Sequence, residues 1–224
     1  MYLPSLKTAV LWCAGLLLCA GLTGCATQNA PRDQSAFIAA NPASILVLPP
    51  VNASPEVQAS DSVLSHATRP LAESGYYVMP VTLVKETFRQ NGMEIPDEIH
   101  EIAPARLRQI FGADAALYIT ISRYGTIYQV IDSATEVTVD ARLMDLRSGT
   151  ELWTGSASAS SKEGSKLSSS GLAGMLVSAL VNQIVNTAME TSHAVAGTAT
   201  QRLLSAGGSD GLLFGPRSPR RLRH

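Results

Sequence analysis

Cys25 is the residue whose type and setting most clearly predict a chemical reaction, the modification of its thiol. It ends the sequence LTGC, which follows an unbroken apolar run at residues 9–20. Lys7 supplies a positive charge ahead of that run. A cationic start, a short apolar core and small residues before a cleavage point are typical of a secretory signal peptide. We therefore predict that residues 1–24 form a signal peptide and that Cys25 becomes the mature N-terminus.

The layout around Cys25 resembles a bacterial lipoprotein signal, which implies that this cysteine carries lipid. An uncleaved anchor is the less favoured alternative, because a bilayer span needs ~20 apolar residues. Lipoprotein cysteines take more than one acyl chain, palmitate among them. At ~0.8 kcal/mol per buried CH₂, several chains anchor a protein stably. Since Ala26 rather than aspartate follows, the sorting pattern of enterobacterial lipoproteins implies the periplasmic face of the outer membrane, with cell-surface exposure left open.

Cysteine and histidine usage excludes two common classes of catalytic site. Of the three cysteines, Cys13 and Cys19 leave with the signal and Cys25 is blocked by lipid, so we predict no disulfide and no thiol catalysis. No histidine has a second histidine three or four residues later, so the helical zinc pattern is absent. The four histidines are His66, His100, His193 and His224.

The carboxylates and serines give no catalytic pattern either. The densest polar cluster lies at residues 97–101, and a solvated acidic loop is the favoured interpretation over a metal site there. The sequence GGSDG at residues 207–211 matches Gly-x-Ser-x-Gly, but it follows a predicted helix rather than the strand that precedes a nucleophilic serine. We therefore predict a protein that is not an enzyme and that has no cofactor and no metal.

The charge distribution excludes nucleic acid as a partner. The formal net charge is −1, and basic side chains are concentrated at the C-terminus, where residues 217–224 contain four arginines. A nucleic-acid-binding protein would present a basic face on its body. For this basic tail we favour a solvated terminus, with contact to anionic lipid or to an acidic partner as the alternative.

The mature chain is predicted to contain one domain. Residues 25–43 are polar and read as a flexible tether, and residues 44–216 alternate strand-like and helix-like segments. The apolar run at residues 44–48 ends at Pro49 and predicts a strand buried on both faces, with helices covering the sheet. The alternation at residues 117–122 predicts a strand with one wetter face.

Hydrophobic periodicity, together with the residues that begin and end helices and strands, predicts further elements. Helices are predicted from residue 54 or 60 to Gly75, over 81–90, over 105–111 with Leu107 and Ile110 buried, and over 194–204. Residues 95–102 read as an acidic connector. A hairpin at residues 135–153 places Trp153 over the sheet, and residues 156–170 read as mobile. An apolar helical stripe at residues 172–188 fits the core or a partner groove, and residues 210–216 form a clasp that docks back onto the domain.

Several of these segments together resemble one family. They are SILVLPP at residues 44–50, TRPLA at 68–72, IFGAD at 110–114 with LYI at 117–119, and GLLFGP at 211–216. The family consists of proteobacterial lipoproteins, long of unknown function, and includes a meningococcal surface-antigen lipoprotein. The resemblance implies an α/β fold, a mixed sheet flanked by helices, similar to the CsgG periplasmic domain and the TolB N-terminal domain.

The resemblance also implies a function class. Family members accompany a CsgG-like lipoprotein and a small lipoprotein, which implies an interaction or assembly component of a cell-envelope complex, with homo-oligomerisation left open. The sheet edge and the stripe at residues 172–188 are the expected contact surfaces. Two alternatives stay open: a periplasmic regulator of peptidoglycan synthesis, and a small-molecule or glycan binder.

Overall fold

A computed structural model describes residues 33–128, 133–163, 188–208 and 210–221. In chain order, the helices and strands of these residues are α1 (Ser35–Ala40), β1 (Ser44–Val47), β2 (Val51–Asn52), α2 (Ala59–Glu73), β3 (Tyr77–Val78), α3 (Val81–Gln90), α4 (Pro96–His100), α5 (Pro104–Phe111), β4 (Ala115–Tyr128), β5 (Ser133–Asp145), β6 (Glu151–Ser160) and α6 (Ala188–Leu204).

The strands form one mixed six-stranded sheet in the order β3-β1-β4-β5-β6, with β2 pairing separately with β4. Strand β1 pairs in parallel with β3 and β4, and β2 pairs in parallel with β4. Strands β4, β5 and β6 form an antiparallel meander. This architecture confirms the predicted α/β fold with a mixed sheet flanked by helices. The particular likeness to the CsgG and TolB domains stays a prediction.

The sheet separates two apolar clusters, and β1 contributes to both. Ile45 and Val47 point into the first cluster, and Leu46 and Leu48 into the second, and all four are fully buried. This confirms the strand predicted from the apolar run. The first cluster packs α1, α2 and α6 against β4 from Ala115 to Tyr124, while the second packs α3, α4 and α5 against its first residues only, as far as Tyr118.

Asp114 fastens the beginning of β1 to the beginning of β4. Its Oδ2 atom accepts hydrogen bonds from the backbone N–H groups of Ala43 (3.0 Å) and Ser44 (3.1 Å), and from the Ser44 hydroxyl (2.9 Å). Burial acts to raise the pKa of Asp114, but the hydrogen bonds from Ser44 and Ala43 outweigh it and lower that pKa. The carboxylate therefore explains why an aspartate ends the IFGAD motif.

Replacing Asp114 with asparagine is expected to lower the free energy of unfolding by about 1.5–3 kcal/mol, the range for hydrogen bonds to a charged group. Urea titration at neutral pH measures the change. Asp61→Asn is the matched control, because Asp61 pairs with Lys85 at an exposed position and such pairs contribute about 0–1 kcal/mol. Equal losses in the two variants would contradict the role given to Asp114.

Three predictions for the first half of the domain were wrong. The segment predicted as a tether contains α1, because Phe37 is buried in the first cluster, and full burial of such a side chain is worth about 1.5–3 kcal/mol. The acidic connector contains α4, which Ile99 fixes to the second cluster. Ile110 is 45% exposed rather than buried, because the short helix α5 turns only Leu107 fully inward.

Two predictions for the second half also need correction. Residues 156–160 were predicted to be mobile but belong to β6, because backbone pairing with β5 needs no apolar side chains. The basic tail is not wholly solvated, since Ser218 is buried and the guanidinium of Arg217 lies over the Tyr77 ring. The stripe predicted at residues 172–188 lies outside the described residues except for Ala188.

Other local predictions are confirmed. The helix predicted from residue 54 or 60 begins at Ala59, and Gly75 and Gly112 follow helix ends with φ angles of 93° and 68°. Trp153 packs against the sheet in the first cluster. The segment at residues 210–216 docks onto the domain, where Gly215 N–H donates to the Ser74 carbonyl at 2.8 Å.

Candidate interaction surface

One face of the meander is polar and open. Beyond Tyr118, the side chains opposite α2 and α6 are hydroxyls and charged groups that bond to one another across the strands. The Ser122 hydroxyl donates to Asp140 at 2.9 Å, and Arg123 donates to Glu136 at 2.8 Å. The charges of Arg123 and Glu136 compensate each other, and the hydroxyl side chains are small and neutral. The face is therefore polar but carries little net charge.

A shallow cavity of about 360 Å³ lies where this polar face meets α4. The Arg142 guanidinium lies 4.7 Å from the centre of the Tyr118 ring, and the His100 ring meets the same ring edge-on at 5.2 Å. His100 Nε2 donates to the Pro49 carbonyl at 3.0 Å. Burial lowers the pKa of His100 and raises that of Tyr118. At neutral pH the cavity therefore offers a neutral imidazole and phenol beside the Arg142 cation and the Asp140 carboxylate.

Strand β6 forms the outer edge of the sheet in the described part of the chain. It is ten residues long, and only its inner side pairs with β5. On this edge Arg202 donates to the Ser158 carbonyl at 2.8 Å. The backbone groups of a sheet edge are a template for pairing with another chain. This edge corresponds to the sheet edge expected from the sequence as a contact surface.

A second concave region, the α1 groove, lies between α1 and residues 210–221, here called the C-terminal segment. Its volume is about 480 Å³. Phe37 and Ile38 line it from α1, and Leu212 and Phe214 from the C-terminal segment. Burial raises the pKa of Tyr76, another lining residue, whose hydroxyl donates to the Leu213 carbonyl. The α1 groove is mainly apolar.

Most of the residues predicted to carry function lie outside the described part of the chain. Cys25 lies outside the described residues, as does the stripe at 172–187. The polar cluster at residues 97–101 lies on and just after α4, and the described residues include no group of three His, Cys, Asp or Glu side chains placed to hold a metal. Among the helices described, none has the length and apolar character to cross a membrane.

Two of the histidines do meet, between α2 and α6. The rings of His66 and His193 lie 4.3 Å apart, and His193 Nδ1 shares a 2.8 Å hydrogen bond with the Ser62 hydroxyl. His66 Nε2 is buried without a hydrogen-bond partner. Burial first, and the nearby His193 second, lower the pKa of His66. Protonation of His66 therefore acts against the packing of α2 on α6.

The unfolding free energy is expected to fall as the pH drops from about 7.5 to about 5.5. His66 has a lower pKa in the folded than in the unfolded chain, whose ordinary value is 6.5, so the unfolded chain binds more protons. Urea titrations at the two pH values measure the change. His66→Leu should reduce the pH dependence and leave the part due to His100; an unchanged pH dependence would contradict the prediction.

Sequence comparison identifies relatives of the chain. Residues 32–217 match the GNA1162-like family profile, described as "Putative lipoprotein GNA1162-like". The chain is 50% identical over 204 residues to "Putative lipoprotein NMB1124/NMB1162" of Neisseria meningitidis serogroup B. That alignment covers 91% of this chain and 94% of the relative. The resemblance found in the sequence motifs is confirmed.

Structure comparison agrees. The crystal structure of lipoprotein GNA1162 from Neisseria meningitidis superposes with a TM-score of 0.52 and 55% sequence identity, covering 65% of this chain and all of the other.

The sequence did not predict the α1 groove or the cavity beside Tyr118. The only early signal for the groove is the pair Phe37-Ile38 within an otherwise polar segment. For the cavity, Tyr118 and Arg142 stand on neighbouring strands in direct register, a pairing that only the assembled sheet reveals.

Proposed function

Because this chain belongs to the GNA1162-like lipoprotein family, we propose that it is an outer-membrane lipoprotein that acts through protein contacts in a cell-envelope assembly. Lipid on Cys25 anchors it at the periplasmic face. The family profile begins at residue 32, so the anchor itself rests on the LTGC sequence and its preceding apolar run.

The observation that carries the assembly role is the outer edge of β6. A ten-residue edge strand next to an open, charge-compensated face offers backbone pairing and hydroxyl hydrogen bonds together, which suits another protein chain. By family resemblance the expected partners are a CsgG-like lipoprotein and a small lipoprotein. The chain is proposed to be no enzyme, because the polar groups in the described part of the chain do not form a nucleophile, base and anion-binding set.

Membrane anchoring is tested by replacing Cys25 with alanine in the full chain. The variant should lose incorporation of a palmitate analogue and should leave the outer-membrane fraction. Cys19→Ala is the matched control, since Cys19 lies inside the predicted signal peptide and should keep both properties. Retention of the lipid label by Cys25→Ala would refute the assignment of the modified residue.

The assembly role is tested with photo-cross-linking side chains placed at Ser156 and Ser158 in the lipidated chain in cells. Both positions are exposed on β6, and Thr82, exposed on α3, serves as the control position. Discrete adducts with envelope lipoproteins, or with a second copy, are expected from β6 and not from Thr82. Recovery of free monomer alone would contradict the proposal.

The regulatory alternative gives a different result. A protein that activates peptidoglycan synthesis would raise the activity of a purified synthase when added in soluble form. Stimulation without cross-links from β6 would replace the assembly role by the regulatory one. The glycan-binding alternative would be favoured if the cavity beside Tyr118 bound a sugar and Arg142→Gln abolished that binding.

A further inference from the structure

Helix α1 leaves an apolar side chain in solvent beside the α1 groove. Phe37 is buried in the first cluster, whereas its neighbour Ile38 is 62% exposed. Both line the groove, together with Phe214 from the C-terminal segment. A short helix that buries one apolar residue and presents the next beside an apolar groove provides a surface that can enter another apolar phase.

Cations border this apolar surface. Arg221 is the only charged side chain among the described residues that line the groove. Arg220 lies over the Phe214 ring at 5.8 Å, and Arg217 lies over the Tyr77 ring at the same distance. The Phe214 ring lines the groove and so holds the Arg220 guanidinium beside it, whereas Tyr77, under Arg217, is not among the lining residues. Arginine binds phosphate oxygens through several N–H donors at once.

The groove lies close in sequence to the proposed lipid anchor, so the membrane is the apolar phase within its reach. Gln34, at the start of the groove lining, is nine residues beyond Cys25. Even a fully extended segment of that length spans only about 30 Å. If Cys25 carries the anchor, as proposed above, the α1 groove and its arginines cannot lie far from the lipid headgroups.

We propose that α1, residues 206–208 and residues 210–221 form a membrane-contact surface that binds anionic phospholipid. Ile38 enters the headgroup boundary beside the groove, and Arg220 and Arg221 bind the lipid phosphates. The contact adds a cationic signal to the lipid anchor. It also fixes the orientation of the domain, so that the β6 edge is held in a defined direction relative to the membrane.

The test uses the mature chain, residues 25–224, with Cys25→Ser, so that vesicle binding does not depend on lipid attached to the protein. Binding to phosphatidylcholine vesicles containing phosphatidylglycerol is measured by flotation and compared with binding to pure phosphatidylcholine. We expect binding only to the anionic vesicles, weakening as salt is added. Absence of binding to anionic vesicles would overturn the inference and leave the lipidation of Cys25 unaffected.

Matched variants locate the contact. Arg220→Gln with Arg221→Gln should weaken binding by about fivefold for each arginine, whereas Arg106→Gln with Arg147→Gln, an equal charge change on exposed arginines beside the second cluster, should not. Ile38→Ser should weaken binding, and Ile110→Ser, at an exposed isoleucine of α5, should leave it unchanged. Equal effects of the groove variants and their controls would overturn the proposed location.

The competing occupant is a second copy of the chain. Sedimentation of the same unlipidated protein without vesicles distinguishes it from membrane. We expect Ile38→Ser to sediment like the unsubstituted chain. A dimer that Ile38→Ser dissociates would assign the groove to self-association and overturn the membrane contact.

Discussion

Replacing Trp153 with alanine is expected to lower the free energy of unfolding by about 3–5 kcal/mol, the range for removing a large aromatic side chain from a core. Trp153 is 4% exposed and belongs to the first cluster. Its Nε1 donates to the Asp210 carbonyl at 2.9 Å, so the indole also fastens the C-terminal segment to the sheet. Circular dichroism during urea titration measures the loss.

Trp153→Phe separates the packing of the indole from its hydrogen bond. Phenylalanine retains most of the apolar contact but cannot donate to Asp210, so a smaller loss of about 1–2 kcal/mol is expected. Gly155 explains why the ring fits, since a Cβ atom there would stand 2.3 Å from Trp153 Cζ2. A loss below about 1 kcal/mol in Trp153→Ala would show that the indole contributes little to the core.

The central strands and helices were predictable because their signals are local. The run at residues 44–48, the alternation at 117–122 and the helical spacing of Val84 and Phe88 each specify which side chains are buried. Gly75 and Gly112 mark helix ends because a positive φ angle costs glycine little. The residues that determine each of these elements lie within a few positions of one another in the sequence.

The wrong predictions concern segments whose structure depends on distant partners. Residues 156–160 have loop-like composition but become a strand because residues 136–140 of β5 pair with them. Ile110 has the right spacing to be buried, yet none of the described elements covers it, and it is exposed. The C-terminal arginines look solvated in sequence because the rings of Tyr77 and Phe214 that receive them lie elsewhere in the fold.

The candidate sites divide in the same way. The prediction for Cys25 depends on neighbouring residues only, and so it can be made from sequence without any knowledge of the domain. The α1 groove combines residues near 34–42 with residues near 207–221. Its walls are therefore separated by most of the chain, and no periodicity or motif relates them.

Replacing Gly75 with alanine is expected to lower the free energy of unfolding by about 2–5 kcal/mol, the sum of backbone strain and steric overlap. Gly75 has a φ angle of 93°, and an added Cβ would stand 2.4 Å from the Ser218 backbone nitrogen. Where the C-terminal segment passes Gly75, the Arg217 N–H donates to the Gly75 carbonyl at 3.2 Å. The C-terminal segment cannot move away without losing that hydrogen bond and uncovering Ser218.

Gly92→Ala is the matched control for Gly75→Ala. Gly92 has a φ angle of 75°, but a Cβ there would meet nothing within 4 Å. Its substitution therefore measures backbone strain alone, about 1 kcal/mol. The excess loss in Gly75→Ala belongs to the contact with the C-terminal segment, which also carries Phe214 and the groove arginines. Equal losses in the two variants would mean that this segment detaches at little cost, and Gly75→Ala would then weaken vesicle binding while destabilising the domain no more than Gly92→Ala does.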